Sequence, residues 1–324
     1  MRLLKAIFLL AVLAAAAVGF YVYLPYGPAQ ETFVDIAAGT GTQAMAAQLE
    51  HAGIIRSQYA FDALKMAHGG ALKAGEYRFD HAAPLTEVYQ RIRRGDVYTR
   101  TVVIPEGFNI FDIAQAIEAA GLGSRAEFLA AERQHVELIS QWSPGATSLE
   151  GYLFPDTYRF SRHVTAENML ATMVKQFGRM TQKLGLSQGA DVSRVVTMAS
   201  LVEKEVHIDA ERPVVAGVFE NRLAAEMPLQ TDPAVAYASL LRGTWTGVIH
   251  QSELHSDSAY NTYVHGGLPP GPICNPGMAA LRAAMQPAKT DYLYFVADAA
   301  GATRFAKDLK EHDAQVAAFR AASR

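Results

Sequence analysis

The first 24 residues place the tightest limit on what this chain can become. AIFLLAVLAAAAVGFYVYL, Ala6 to Leu24, runs for 19 residues without a charge. As a helix it is about 28 Å long, enough to cross a hydrocarbon core. Tyr21, Tyr23 and Tyr26 stand where an aromatic belt would stand. Arg2 and Lys5 lie on the amino-terminal side, so the positive-inside rule makes residues 1–5 a cytoplasmic tail, 6–24 a transmembrane helix, and 25–324 extracytoplasmic. A cleaved signal peptide is the alternative. The stretch is longer than a usual signal core and ends in tyrosines, which favours an anchor. No second long apolar run follows, so the expectation is a single-pass protein.

The 324 residues suggest about two folded domains. Half of them are hydrophobic, enough for a sizeable core. A net charge of -3, with no basic run or basic-aromatic stripe, argues against nucleic acid as a partner. A single cysteine, Cys274, excludes an intrachain disulfide framework and a Cys-based metal site.

YGPAQE, 26–31, reads as a linker. Beyond it lies an internal repeat: VDIAAGTGTQAMAAQLEHAG (34–53) aligns with VVIPEGFNIFDIAQAIEAAG (102–121) at a constant offset of 68. Each copy reads as a short strand, a glycine turn, an amphipathic helix and a glycine stop. Each is followed by a second helix with a serine N-cap, Ser57 for 57–69 and Ser124 for 124–134. Residues 72–79 and 97–104 read as strands and 84–95 as a helix.

From Ser148 the chain changes character. SLEGYLFPDTYRF (148–160) is strand-like. Helices are expected over 165–185, 190–206 with Asp191 as cap, 209–227 with Asp209 as cap, and from Thr231–Pro233 to 243. A long Gly/Pro loop (260–277) leads through an Asn275-Pro276 cap to helix 276–286. A hairpin (291–298 with 302–306) and helix 311–322 close the chain. The fold class is α+β, helix-rich, with a terminal β-hairpin.

LVEKEV (201–206) carries two glutamates about 200° apart on a helical wheel. Met198, Leu201 and Val202 cluster around Glu205, whereas Glu203 lies with Val196, Ala199 and Ser200 on the weaker face. A glutamate on a core face needs a reason. Burial raises its pKa and yields the protonated state that a general acid needs. Two plainer readings stand beside this one: solvated residues at a helix end, or an ion pair of Glu205 with Arg212 or Arg222. His250, His255 and His265 lack ligand spacing, so no metal site is expected. Ser200 has no nucleophile context. Asp232 and Asp156 read first as turn or cap residues. The aromatics Tyr152, Phe154, Tyr158, Tyr260 and Tyr263 suit either packing or sugar stacking.

Taken together, EGYLFPDTY (150–158), MASLVEKEV (198–206), FENRL (219–223), LQTDPAVAY (229–237), YNTYVHGGLPPGPICNPG (260–277) and PAKTDYLYFVAD (287–298) resemble the endolytic murein transglycosylase, or YceG-like, family. The resemblance runs from the membrane helix to the last helix. It implies a single-pass inner-membrane protein with its bulk in the periplasm. It implies a LysM-like α+β region, here 32–147, before a lytic-transglycosylase-type catalytic domain, here 148–324. The implied reaction cleaves peptidoglycan strands between N-acetylmuramic acid and N-acetylglucosamine, leaves 1,6-anhydromuramic ends and terminates nascent strands, with no cofactor. Cell-wall synthases are the implied partners. Glu205 carries over as the catalytic residue. Gln230, Asp232, Tyr260, Asn261, Tyr263 and Asn275 are expected to line the cleft as sugar-binding or loop-ordering groups, and Glu150, Tyr152 and Asp156 to form its facing wall. Val206 stands where threonine is commoner, and Gln286 where histidine is expected. A non-catalytic glycan-binding scaffold, and a true hydrolase using Glu203 or Asp232, are the competing readings.

Overall fold

Both copies of the repeat fold with the same element order, the strand and first helix at an offset of 68 and the second helix starting at an offset of 67. A computed structural model describes residues 2–186, 191–206, 208–297 and 302–322. The chain divides into two units, Met1–Arg100 and Thr101–Arg324.

The first unit begins with helix α1 (Arg2–Val18), extended by a π-helical turn, Gly19–Tyr23. Leu3–Tyr23 has a mean hydropathy of 2.4, leaves its apolar stretch unburied, and is long and apolar enough to cross a membrane. Strand β1 (Thr32–Ile36), helices α2 (Thr42–His51) and α3 (Gln58–His68), strand β2 (Gly75–Phe79) and helix α4 (Leu85–Arg94) follow. β1 and β2 pair antiparallel, with Thr32 opposite Phe79 and Ile36 opposite Gly75. Val34, Ile36, Leu49, Phe61, Tyr77, Tyr89 and Ile92 fill one core between this hairpin and the helices. Ser57 caps α3 through the Ala60 amide, as its spacing predicts.

The linker expected at 26–31 is partly tied down. Tyr26 and Ala83 exchange both backbone hydrogen bonds, at 3.1 and 3.0 Å. The Arg56 guanidinium donates to the Leu24 carbonyl at 2.8 Å and lies over the Phe20 and Tyr26 rings, at 4.5 and 4.7 Å from their centroids. The carbonyls left unpaired where the apolar helix ends thereby find a partner.

In the second unit, β3 (Arg100–Ile104), α5 (Ile110–Ala119) and α6 (Arg125–Gln134) reproduce β1, α2 and α3. The turn and stop glycines take left-handed φ in both copies: 84° at Gly39 and 79° at Gly107, 69° at Gly53 and 66° at Gly121. Asn109 and Ser124 close capping boxes at α5 and α6. The copies differ in what they pack on. β1 pairs within its own unit, whereas β3 pairs with β4 (Asp156–Phe160). Val102, Ile104, Ile113 and Ile117 share one core with Leu149, Tyr152, Met173, Val196 and Leu281. The boundary between the two compact units accordingly falls at Arg100–Thr101, between the two copies of the repeat.

A 3-10 turn (Val136–Ile139) precedes β4. Helices α7 (Ala166–Leu184), α8 (Val192–Glu205), α9 (Arg212–Ala224), α10 (Asp232–Arg242), α11 (Gln251–Leu254) and α12 (Met278–Met285) follow, then β5 (Tyr294–Ala297), β6 (Thr303–Ala306) and α13 (Leu309–Ala322). β5 and β6 form the expected antiparallel hairpin, Tyr294 opposite Ala306. Its tip, 298–301, and Ala190 of the expected helix 190–206 lie outside the described residues. The strand expected over 148–160 is confined to β4. Upstream, Gly151 takes φ +88°, and a Cβ there would meet Pro272 Cγ at 2.5 Å and Val196 Cγ1 at 2.8 Å. That contact brings the Gly/Pro loop onto α8 and forbids an extended strand. Asp191 caps α8 by accepting from the Arg194 amide at 3.0 Å. Asp209 does not cap α9, which begins after Glu211; its carboxylate takes the Arg212 Nε at 3.0 Å instead.

Candidate active site

Between Val196 and Glu203 α8 is buried on every side: Val196, Ala199 and Ser200 are as inaccessible as Met198, Leu201 and Val202. The helical wheel therefore misjudges the weaker face. Glu203, only 7% exposed, is the more deeply buried of the two glutamates. Its Oε1 accepts from Arg212 Nη1 at 2.9 Å, and its Oε2 accepts from the Gly277 amide at 2.9 Å. It is neither solvated nor idle: it neutralises a buried arginine and binds one of the free amides where α12 begins. Of the two arginines considered as ion-pair partners of Glu205, Arg212 pairs with Glu203 instead.

Glu205 ends α8, and Val206 after it is extended. The half-buried Glu205 side chain faces a cavity of about 260 Å³ lined by Arg222, Leu229, Gln230, Asp232, Tyr263, Phe295 and His312. Crowding by protein atoms pushes its carboxyl pKa up to about 7; the Asp232 charge adds to the rise and Arg222 opposes it. A carboxyl titrating there is protonated in a useful fraction at neutral pH and ionises readily.

The other lining groups are held firmly. Asp232 occupies the first turn of α10 and its Oδ1 accepts from the Tyr263 hydroxyl at 2.6 Å. Burial first, and that bond second, raise the Tyr263 pKa, so Tyr263 remains a donor. Gln230 has a left-handed φ of 54°, uncommon for a residue with a side chain, and its amide bonds to the Thr262 carbonyl at 3.0 Å. Thr231 bonds the Thr262 hydroxyl through its amide at 2.9 Å, which fixes segment 229–231 against loop 260–263. Arg222 spends its Nε on the Leu293 carbonyl at 2.6 Å and its Nη1 on the Leu229 carbonyl at 2.9 Å. It thus braces the cavity wall while carrying its charge into it.

Glu205, Gln230, Asp232 and Tyr263 therefore converge, and the remaining expected cleft residues do not. Glu150 is buried, accepting from the Ile110 amide at 2.9 Å and from Asn275 Nδ2 at 2.8 Å; burial raises its pKa to about 8. Asn275 is no helix cap, since α12 begins at Met278. Its Oδ1 accepts from the Leu153 amide at 2.8 Å and its Nδ2 also reaches the Phe108 carbonyl at 2.9 Å. Tyr152 is a core residue against Trp142 and Phe177. Asp156 is exposed and pairs with Gln176 at 2.6 Å. Asn261 is buried and gathers the carbonyls of Glu253, Leu254 and Ser256 at 3.3, 3.1 and 2.8 Å, the loop-ordering alternative. Tyr260 packs edge-on to Tyr237 at 5.2 Å, away from the cavity lining. The facing wall expected from Glu150, Tyr152 and Asp156 is thus interior scaffold and an outer strand. Motifs point to these residues as a group, yet the fold needs them for packing. Gln286 is exposed at the end of α12 and does not line the cavity. Asn275→Ala is expected to lower the urea midpoint by the equivalent of about 2–3 kcal/mol, because it strands the Leu153 amide and one face of Glu150.

The cavity residues missed by sequence reasoning are Leu229, Phe295 and His312, together with Arg222 in its bracing role. Arg222 is visible in the sequence only as a potential ion-pair partner. Phe295 and His312 reach Glu205 through the fold-back of the terminal hairpin, which leaves no local signal.

The YceG-like family matches residues 34–318. A Bacillus subtilis protein named endolytic murein transglycosylase is 35% identical over 299 residues, covering 86% of this chain and 82% of its own length. A Streptococcus pneumoniae protein of the same name is 32% identical over 320 residues, covering 88% of this chain and 57% of the relative. The crystal structure of a Listeria monocytogenes protein described as yceG-like superposes with a TM-score of 0.61 at 33% identity, covering 88% of this chain and 99% of that one. This chain belongs to the YceG-like family.

Proposed function

We propose that this protein is an endolytic murein transglycosylase: it cleaves peptidoglycan strands at the bond between N-acetylmuramic acid and N-acetylglucosamine and leaves 1,6-anhydromuramic ends. The observation that carries this reading is Glu205, half-buried in a cavity with a carboxyl pKa near 7. Its family relatives carry the corresponding name.

In this mechanism the protonated Glu205 donates to the glycosidic oxygen, and the bond from that oxygen to C1 of the muramoyl sugar breaks. Positive charge builds at C1 as in other glycoside cleavages. The C6 hydroxyl of the same sugar attacks C1, a C1–O6 bond forms, and the hydroxyl proton passes to the Glu205 carboxylate. One glutamate serves as acid and then base, and no water enters. Asp232, its carboxylate oriented by Tyr263, raises the Glu205 pKa and lies where a negative charge favours the cationic transition state. Arg222 limits that rise and stabilises Glu205 once ionised.

The apolar helix is read as a membrane anchor that leaves the bulk of the chain on the periplasmic side, with residues 32–147 LysM-like and 148–324 catalytic. The duplicated strand–helix–helix order supports a glycan-binding role for the repeats, and termination of nascent strands beside cell-wall synthases follows from the anchor. Digestion of purified peptidoglycan followed by mass analysis of the new ends tests the reaction. Anhydromuramic ends are expected. Reducing ends would mean that Asp232 directs water to C1, and no new ends would leave a glycan-binding scaffold.

A further inference from the structure

His312 belongs to the closing helix, more than a hundred residues from Glu205 in sequence, yet it lines the same cavity. Its helix and its ring are both held by neighbours. Asp308 caps α13 by accepting from the Glu311 amide at 2.8 Å. Gln315, one turn on, donates its Nε2 to the Phe305 carbonyl at 3.1 Å, which ties α13 to β6. The imidazole stacks on Tyr294 of β5, with centroids 5.3 Å apart and planes at 27°. The Arg222 cation lies over the same Tyr294 ring at 5.1 Å. Two cavity residues are thus aligned on one aromatic plate.

The polar atoms of the imidazole are left over in this arrangement. Neither ring nitrogen has a hydrogen-bond partner among the described residues; Nδ1 is shielded from solvent, so Nε2 is the nitrogen a ligand can reach. Buried polar groups are rarely left so, and each calls for an explanation. Two other polar groups of the cavity have theirs: Asp232 has Tyr263, and Arg222 has three carbonyls. Nε2 of a neutral imidazole either donates or accepts, and a sugar hydroxyl or an acetamido group can serve as its partner.

We propose that His312 is a substrate-binding residue, hydrogen-bonding a hydroxyl or acetamido substituent of the amino sugar held against Glu205. This rests on the cavity being the glycan site, but not on which ends the reaction leaves. The α13 helix and the terminal hairpin then belong to the active site, and are not merely a tail that closes the fold.

The discriminating substitution is His312→Phe, which keeps a flat ring on Tyr294 and removes both nitrogens; His312→Ala removes the ring as well. Binding of an N-acetylglucosamine–N-acetylmuramic acid tetrasaccharide is measured by calorimetry with full-length protein in the Glu205→Gln background. Initial rates of strand cleavage are measured with Glu205 intact. His312→Phe is expected to weaken tetrasaccharide binding at least tenfold and to raise KM more than it lowers kcat, with an unchanged melting temperature. Binding within twofold of the parent overturns the proposal, because a purely packing role survives the phenyl ring. A parent that binds no tetrasaccharide overturns it too. Reducing instead of anhydro ends would overturn only the reaction assigned above and leave the His312 comparison standing.

Discussion

Glu205→Gln is expected to reduce strand cleavage by roughly a thousandfold or more while leaving the protein at least as stable. The loss follows from removing the cavity carboxyl whose pKa suits proton donation at neutral pH, since acid–base groups of this kind contribute on the order of 10²–10⁴ in rate. Wild-type kcat/KM is expected to fall as pH rises through about 7, because the ionised carboxylate cannot donate. The stability effect has the opposite sign. A carboxyl that titrates at about 7 in the fold and 4.5 when free favours the folded state only while protonated. The wild-type protein therefore loses this contribution as pH rises from about 4.5 to 7, up to roughly 3 kcal/mol. Glutamine does not ionise. The Glu205→Gln melting temperature should accordingly exceed that of wild type at pH 8 by several degrees, and match it near pH 4. A variant that is less stable at pH 8 would overturn the assignment of Glu205 as a carboxyl held protonated by burial.

Glu203→Ala is expected to behave in the reverse way. Arg212 and Glu203 side chains are 6% and 5% exposed, so removing the carboxylate leaves a guanidinium in the interior with the outer Asp209 as its one remaining carboxylate partner among the described residues. Breaking one side of such a pair costs about 3–5 kcal/mol, and the Gly277 amide loses its acceptor as well. Chemical denaturation should show a midpoint lowered by that amount. Activity should fall in proportion to the unfolded fraction and recover on cooling, with the pH profile of the remaining folded enzyme unchanged. A Glu203→Ala protein that is fully stable but inactive would mean that the two glutamates hold each other's roles.

These opposite signs illustrate what periodicity can and cannot read. The wheel selects Glu205 because Met198, Leu201 and Val202 surround it, and that part of the helix is indeed core. The same reasoning sets Glu203 aside on the weaker face. Yet α8 lies between α9, α10 and α12, so its second face is buried as well. Burial alone does not separate the two carboxylates. Their partners do: Glu203 meets an arginine and a helix amide, Glu205 meets a cavity and a second carboxylate. Partners from α9, α10 and α12 depend on contacts between residues distant in sequence, which no local pattern encodes.

Local chemistry is legible wherever neighbours in sequence supply the bonds. The apolar segment over Leu3–Tyr23, the repeat at its offset of 68, the serine caps of α3 and α6 and the Asp191 cap of α8 all rest on interactions within a few residues. Hydrophobic periodicity and capping act over those distances, so the residues themselves determine them. Which copy of the repeat stands alone and which joins the larger core was decided by strand pairing, β1 with β2 but β3 with β4. Two similar segments have the same local propensity, and only the partner strand distinguishes them. In the same way Glu150 and Asn275 turned from cleft residues into a buried knot, and His312 came into the cavity from the far end of the chain. Burial and cavity formation are sums over many distant contacts, so the tertiary structure alone determines which carboxylate is free to act and which residues surround it.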